Sequence, residues 1–346
     1  MKRRLLLLLV IASLLLCSCS QSVNYGDIIP EEFSSDETAS FHFIDVGQGD
    51  CILIQDAETN ILIDAGTTAS GSEILAYLEN LGIDYLDCFI GTHPHEDHLG
   101  GGSAILSELE VENVYLTGET SNSYFFERLV DTIIEKEITP VRPDFDKEYQ
   151  FGKFSVEFLS PKVDFGDTNN NSLVTMITYG DIKALFTGDS ERPVESELVK
   201  NGTDIKADIL KVGHHGSRNG TSKEFLASVN PAVAVIQCGK DNSYGHPHEE
   251  ALNRLQALDI NIMRTDEKGT IILHTDGESV FTNLGEGIES KKDAPELEIT
   301  YTGNKKSKVF HCETCPNLPK ESNRVIFSTR EDAEKANYTP CGNCMP

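Results

Sequence analysis

From Phe41 onward, short β-rich runs alternate with longer segments of helical spacing. FHFIDV, CILIQD and NILIDAG, separated by Gly, Asp and Asn, predict three consecutive strands. SGSEILAYLENLGI has apolar residues at helical spacing behind a serine and stops at Gly82, which predicts a helix. YLDCFIGT is a nearly continuous apolar strand that delivers the chain to His93, and Pro94 ends regular pairing there. SYFFERLVDTIIEKE reads as a helix, FSVEFLSP and SLVTMITYGDIKALFTGD as strands, and ADILKVGHHGS as a strand ending in a polar loop. The strand PAVAVIQCG, the helix PHEEALNRLQALD and the hairpin GTIILHTDGESVFTN close the pattern near Asn283. Mixed strands with interspersed helices predict a layered α/β fold.

The ends of the chain follow other patterns. Residues 1–19 begin with Lys2, Arg3 and Arg4 and continue into an apolar run from Leu5 to Leu16, too short to span a bilayer. That layout predicts a secretory signal. Its end, LCSC, resembles a bacterial lipobox, which implies lipidation at Cys19 behind the small Ser18 and a membrane anchor; a plainly cleaved signal is the alternative. Residues 20–40 are polar and acidic without a period and read as a flexible tether. The body spans 41–283, a linker 284–300, and a small separate module 301–346. No other stretch is long and apolar enough to cross a membrane.

Composition sharpens this picture at two points. The formal net charge is −27, which argues against tight nonspecific binding of nucleic acid by the body. From Leu297 onward seven basic and six acidic side chains give a formal +1, leaving −28 for the rest, and NKKSK lies there. The module could thus contact phosphate. Cys51, Cys88 and Cys238 sit in apolar contexts and read as small buried hydrophobes. His42 and His274 fall within strand patterns and read as structural.

Chemistry concentrates in GTHPHEDHLGGG, where His93, His95, Asp97 and His98 offer three imidazoles and a carboxylate from one loop. Neutral imidazole and carboxylate are the ligands zinc and similar divalent ions take. Asp189, ending LFTGD, and the pair His214–His215 in KVGHHGS add candidates where other strands end. This set, with FIDVGQGDCILI, NILIDAG, FTGD and YGHPH in order, resembles the metallo-β-lactamase superfamily and in particular ComEC-type hydrolase domains. The resemblance implies an αββα sandwich with a site at one edge holding two divalent ions, zinc or manganese. It assigns His93 and His95 to the first ion, Asp97 and His98 to the second, and Asp189 to both. His214 would complete the second site, with His215 the alternative. Asp45 and Asp64 would support the ligands from behind. Relatives place a histidine where this chain has GDTNNNSLV; Asn170 or Asn171 stands nearest, and an amide oxygen there favours manganese. Such an ion pair activates water and stabilises the oxygens of a displacement at phosphorus. Asp97 could accept the water's proton, and His246 or His248 could protonate the leaving group or anchor a phosphate. His248 could equally flank the helix after Pro247.

In the module, Cys312, Cys315, Cys341 and Cys344 form two CxxC pairs, a spacing that suits structural zinc; two disulfides are the alternative. The segment also resembles the metal-binding module of the Ada repair protein, whose register assigns His311, Cys315, Cys341 and Cys344 to zinc and leaves Cys312 over. A histidine in first place removes the methyl-accepting thiol, so no alkyl transfer is expected. Together these features predict an extracytoplasmic metal-dependent nuclease or phosphodiesterase. The alternatives are a hydrolase of a β-lactam, thioester or phosphocholine ester, and a non-catalytic metal-binding surface protein.

Overall fold

The computed structural model describes residues 38–283, 287–289, 291, 300–312, 315 and 317–342. The proposed signal with Cys19, and Cys344, lie outside them. The first half of the body supplies strands β1 (Ala39–Phe43), β2 (Ile52–Gln55), β3 (Asn60–Ile63), β4 (Tyr85–Gly91) and β5 (Glu110–Leu116). The second half supplies β6 (Glu148–Phe151), β7 (Phe154–Phe158), β8 (Thr175–Tyr179), β9 (Ile182–Phe186), β10 (Ile209–Lys211), β11 (Val233–Ile236) and β12 (Asn261–Arg264). After these come β13 (Ile271–Thr275), β14 (Val280–Thr282) and β15 (Gly287–Ile288), which return to the first sheet. That sheet has the order β15-β14-β13-β1-β2-β3-β4-β5, and the second runs β12-β11-β10-β9-β8-β7-β6. Because β15 still pairs with β14, the sheet continues past the boundary at 283 that the sequence suggested.

Side-chain alternation explains how the sheets stack. Ile52 and Ile54 of β2 point between the sheets, while Leu53 points outward. In β9, Ala184 and Phe186 point inward and Leu185 outward. Phe41 and Phe43 meet Phe186 across the gap at ring-centroid separations of 6.4 and 6.3 Å. Burying each such ring contributes roughly 1.5–3 kcal/mol. Helices α1 (Gly71–Asn80), α2 (Glu96–Leu99), α3 (Gly102–Glu108) and α4 (Tyr124–Glu135) follow in the first half. Ile74, Tyr77 and Leu78 of α1 and Phe126, Leu129 and Ile133 of α4 recur every three or four residues and pack on its outer face. α5 (Arg192–Lys200), α6 (Lys223–Val229) and α7 (Glu249–Gln256) cover the second sheet through Val194, Leu198, Phe225, Leu226 and Leu255. A single turn, α8 (Thr265–Lys268), follows β12. Helices thus cover both outer faces, the αββα arrangement expected from the sequence. With both faces covered, strands read as unbroken apolar runs.

The module is a four-stranded sheet, β18-β16-β17-β19, built from β16 (Tyr301–Asn304), β17 (Val309–Cys312), β18 (Arg324–Phe327) and β19 (Thr339–Pro340), with α9 (Arg330–Lys335) against it. Tyr301, Phe310, Ala333 and Tyr338 form its small core. It meets the body where Arg330 Nη1 donates to Ser196 Oγ of α5 at 2.7 Å. No helix among the described residues is long and apolar enough to cross a membrane.

Candidate metal centre

The site assembles where strands end. β3 delivers Asp64, β4 delivers Thr92 and His93, β9 delivers Asp189, and β10 delivers the turn Gly213–Gly216. Asp64 adopts a left-handed conformation (φ 57°), and so do the consecutive His214 (φ 46°) and His215 (φ 51°). Such backbone costs of order 1–3 kcal/mol per non-glycine residue and persists where surrounding structure imposes it.

Hydrogen bonds fix which nitrogen of each imidazole faces the site. His98 Nδ1 donates to Asp64 Oδ2 at 2.7 Å. Thr92 holds that carboxylate further, through its amide (2.8 Å) and its hydroxyl (2.7 Å). His93 Nδ1 donates to the Thr92 hydroxyl at 3.1 Å, and His215 Nδ1 to the Gln237 carbonyl at 3.0 Å. In all three rings Nε2 thereby faces the site, where His93 Nε2 lies 3.0 Å from His95 Nδ1 and His215 Nε2 3.2 Å from Asp97 Oδ2. Asp64 thus stands behind the His98 ring, where the sequence reading put it.

Among the described residues of the body, two sets of ligand atoms that share Asp189 lie within 4.8 Å of one another, His93, His95 and Asp189, and Asp97, His98, Asp189 and His215, with a third, Asp50, Asp64 and His98, beside them. Asp189 Oδ1 lies 3.2 Å from His98 Nε2 and 3.5 Å from His215 Nε2. Its Oδ2 lies 3.8 Å from His93 Nε2 and 3.7 Å from His214 Nε2. His98 Nε2 and Asp189 Oδ1 are buried and face each other without a hydrogen bond. Leaving two buried polar atoms unsatisfied is costly, and a cation between them would satisfy both. The donor set and these orphaned atoms fit divalent ions: His93 and His95 with Asp189 for one, Asp97, His98 and His215 with Asp189 for the other.

Electrostatics agree. Burial disfavours the His98 imidazolium, but the Asp189 and Asp64 carboxylates outweigh it and push the pKa well above the ordinary value. His215 loses likewise to burial and gains more from Asp189, Asp50 and Asp97, ending at about 10. Burial, reinforced by His98, drives His93 well below its usual range. Burial would raise Asp97, yet His215 and His98 hold it below the usual carboxylate range. That depression depends on protons held by His215 and His98 and so belongs to the metal-free centre.

Several sequence assignments change. His215, not His214, belongs to the second set; His214 instead flanks the other oxygen of Asp189, with its Nδ1 donating to Glu191 at 2.7 Å. Neighbouring positions in a left-handed turn point apart, which spacing alone could not resolve. Asp45 is not behind the ligands: it is exposed and accepts the Gly47 amide. Its place is taken by Asp50 from the same GQGD stretch, which accepts from the buried Lys211 at 2.7 Å and lies 3.2 Å from His215 Nδ1. Lys211 also donates to the Val212 carbonyl at 2.9 Å. Asn171 and Asn170 are committed elsewhere, Asn171 Oδ1 to the Phe165 amide and Asn170 Oδ1 to the Glu191 amide. Asn169 reaches the site in their stead: it lines the cavity, and its buried Oδ1 has no partner.

That cavity, about 300 Å³, is also lined by Gln48, His95, Asp97, Tyr244 and His246. His246 is in place, but burial and then the cationic neighbours His215 and His214 lower it to about 4. A neutral ring anchors a phosphate better than it protonates a leaving group. His248 accepts the Arg218 amide at 3.1 Å and precedes α7, the helix-flanking reading. His42 is buried among Ser40, Tyr77 and Gln55, a structural residue as expected. In the module, His311, Cys315 and Cys341 bring ligand atoms within 4.8 Å of one another, in the register that uses His311.

This sandwich, with its ligands at the strand ends, places the chain in the metallo-β-lactamase superfamily, whose description matches residues 44–240. Residues 290–346 match the metal binding domain of Ada, so the C-terminal module is Ada-like and zinc-binding. The chain is 32% identical over 247 residues to ComE operon protein 3 of Bacillus subtilis strain 168, covering 66% of this chain and 32% of that one. It is 31% identical over 230 residues to competence protein ComA of Neisseria gonorrhoeae, covering 66% and 31% respectively. It thus spans about a third of the length of these relatives. Among solved structures, the metallo-β-lactamase fold protein YhfI of Bacillus subtilis aligns over 69% of this chain and 99% of its own, at TM-score 0.47 and 13% identity.

Proposed function

We propose that this hydrolase is a metal-dependent phosphodiesterase that cleaves DNA outside the cytoplasm. The observation that carries the reading is the single Asp189 carboxylate shared by two ligand sets beside an open cavity. When bound, a pair of divalent ions supplies Lewis acidity and a water nucleophile at neutral pH. The protein's own residues do the positioning. Asp64, Thr92 and Gln237 lock the imidazoles, Glu191 holds His214 at the wall, and neutral His246 offers an anchor to a phosphate oxygen. Asn169, whose buried Oδ1 has no partner and which lines the same cavity, would add an oxygen donor to the centre and favour manganese. The relative named a competence protein, and a further one named a recombination protein, support nucleic acid as the substrate class.

The test is cleavage of supercoiled plasmid by residues 24–346 with manganese or zinc. Asp189→Asn is expected to lower the rate more than about a hundredfold, since even outer partners of metal ligands cost 10–100-fold. Intact plasmid together with an intact single-stranded oligonucleotide, both with loaded sites, would overturn the DNA assignment and direct the search to other esters or amides, nitrocefin among them. The same reading puts the full chain on a membrane through Cys19, so Cys19→Ala should move it from the membrane fraction to the medium. Unchanged fractionation would remove the anchor from the proposal.

A further inference from the structure

The substrate class of this site can be narrowed from Tyr244. Its side chain is 64% exposed, and it lines the mouth of the metal-centre cavity. One face of the ring is covered: it stacks on His246 at a centroid separation of 5.7 Å and an interplanar angle of 21°. His246 in turn lies 6.1 Å from the ring of His215, at 34°. A ladder of rings therefore leads from a metal-ligand set to the surface and ends in an aromatic face with solvent over it.

The loop that presents this face is built to hold it. The Asn242 side chain accepts the amides of Tyr244 (3.1 Å) and His246 (3.0 Å), and donates to the carbonyls of His246 (2.5 Å) and Gly239 (2.8 Å). One amide thus staples both ends of the turn between the rings. The Tyr244 hydroxyl has no hydrogen-bond partner among the described residues, so the ring is not fixed there to satisfy it. A singly exposed aromatic is ordinary on a protein surface; this one is set apart by its place on the cavity wall, with one face stacked on His246 and the other open.

The size of the cavity says what the open face would meet. At about 300 Å³ it stands at the lower limit of ligand cavities, enough for a phosphodiester and an adjoining sugar. A planar group attached to that sugar must leave over the rim, where Tyr244 stands. We propose that Tyr244 is a stacking platform for the nucleobase next to the scissile phosphodiester, so that the enzyme prefers strands with unpaired, accessible bases. This rests on the phosphodiesterase reading. Stacking on an aromatic accepts any base, because each has a π face, which suits an enzyme without sequence preference.

The test compares kcat/KM of the metal-loaded chain on a single-stranded oligothymidylate and on an abasic oligomer of equal length. The wild type should favour thymidylate by about tenfold or more, the range base–aromatic stacking supports. Tyr244→Ala should bring the ratio close to one, and Tyr244→Phe, which keeps the ring, should preserve it. A wild-type ratio of one, or a ratio that survives Tyr244→Ala, overturns the platform while leaving the phosphodiesterase reading intact. Cleavage of neither oligomer overturns that reading, and the platform with it.

Discussion

Asp50, Asp64, Asp97 and Asp189 bring four carboxylates into one buried or half-buried region. Without metal, the compensating charge is carried by Lys211 and by protons on His98 and His215. Ligation requires those imidazoles neutral, so metal binding must expel the protons. With the module's thiolates already loaded with zinc, calorimetric titration of the metal centre with manganese at pH 7, in two buffers of different ionisation enthalpy, should show release of about two protons per molecule. The pH dependence has a definite sign. Both imidazoles have pKa values raised on folding, so their contribution to the metal-free protein is complete below the ordinary histidine pKa of about 6.5. It is lost as pH rises through the folded value, about 10 for His215. Proton release should therefore fade across the same window, and release independent of pH would contradict this account. At this scale the sequence was legible where residue type is itself rare and chemical, as in the histidine loop. It was misleading for Asp45 and silent on Lys211, because a charged residue at a strand's end gives no sign of facing inward until its partner is known.

Between residue and molecule, the strand-end loops decide ligand geometry. Gly49 has φ 145°, and a Cβ built there would lie 2.4 Å from the Asp97 carbonyl oxygen. The neighbouring Asp50 amide donates to that same carbonyl at 3.0 Å. Gly49→Ala must push the Asp97 loop away from the second ligand set while touching no ligand itself. We expect a fold unchanged by circular dichroism and a metal content reduced by about one ion per molecule, measured by elemental analysis. Full occupancy in the variant would show that the loop yields without cost. The elements themselves were mostly visible. Those with unbroken apolar runs, such as β4, or clear helical spacing, such as α4, lie where pattern places them. β5 was not legible, because EVENVYL lies at the sheet's edge with its first residues exposed or half-exposed. β6, at the edge of the other sheet, alternates exposed and half-buried positions and gives equally little signal.

For the whole molecule, alternation of strands and helices was enough to anticipate a layered α/β fold; the two covered sheets came only with the family resemblance, and neither showed how they are joined. The first sheet's loops provide His93, His95, Asp97 and His98, while the second provides Asp189 and His215. Nothing local in either half reveals that pairing, which motif order alone supplied. The return of β13 to lie beside β1 was likewise invisible, since it joins segments far apart in the chain. The division of ligands between sheets has a mechanical consequence. Bound ions would tie together two layers that otherwise meet through side-chain packing, closing the long stretch of chain from His98 to Asp189. Cys51, Cys88 and Cys238 of the body are free thiols, so no disulfide among them does that work. A tie made of ligand bonds can be undone by any competitor for the ion. Outside a cell, the lifetime of the folded chain would then follow how tightly its surroundings buffer transition metals.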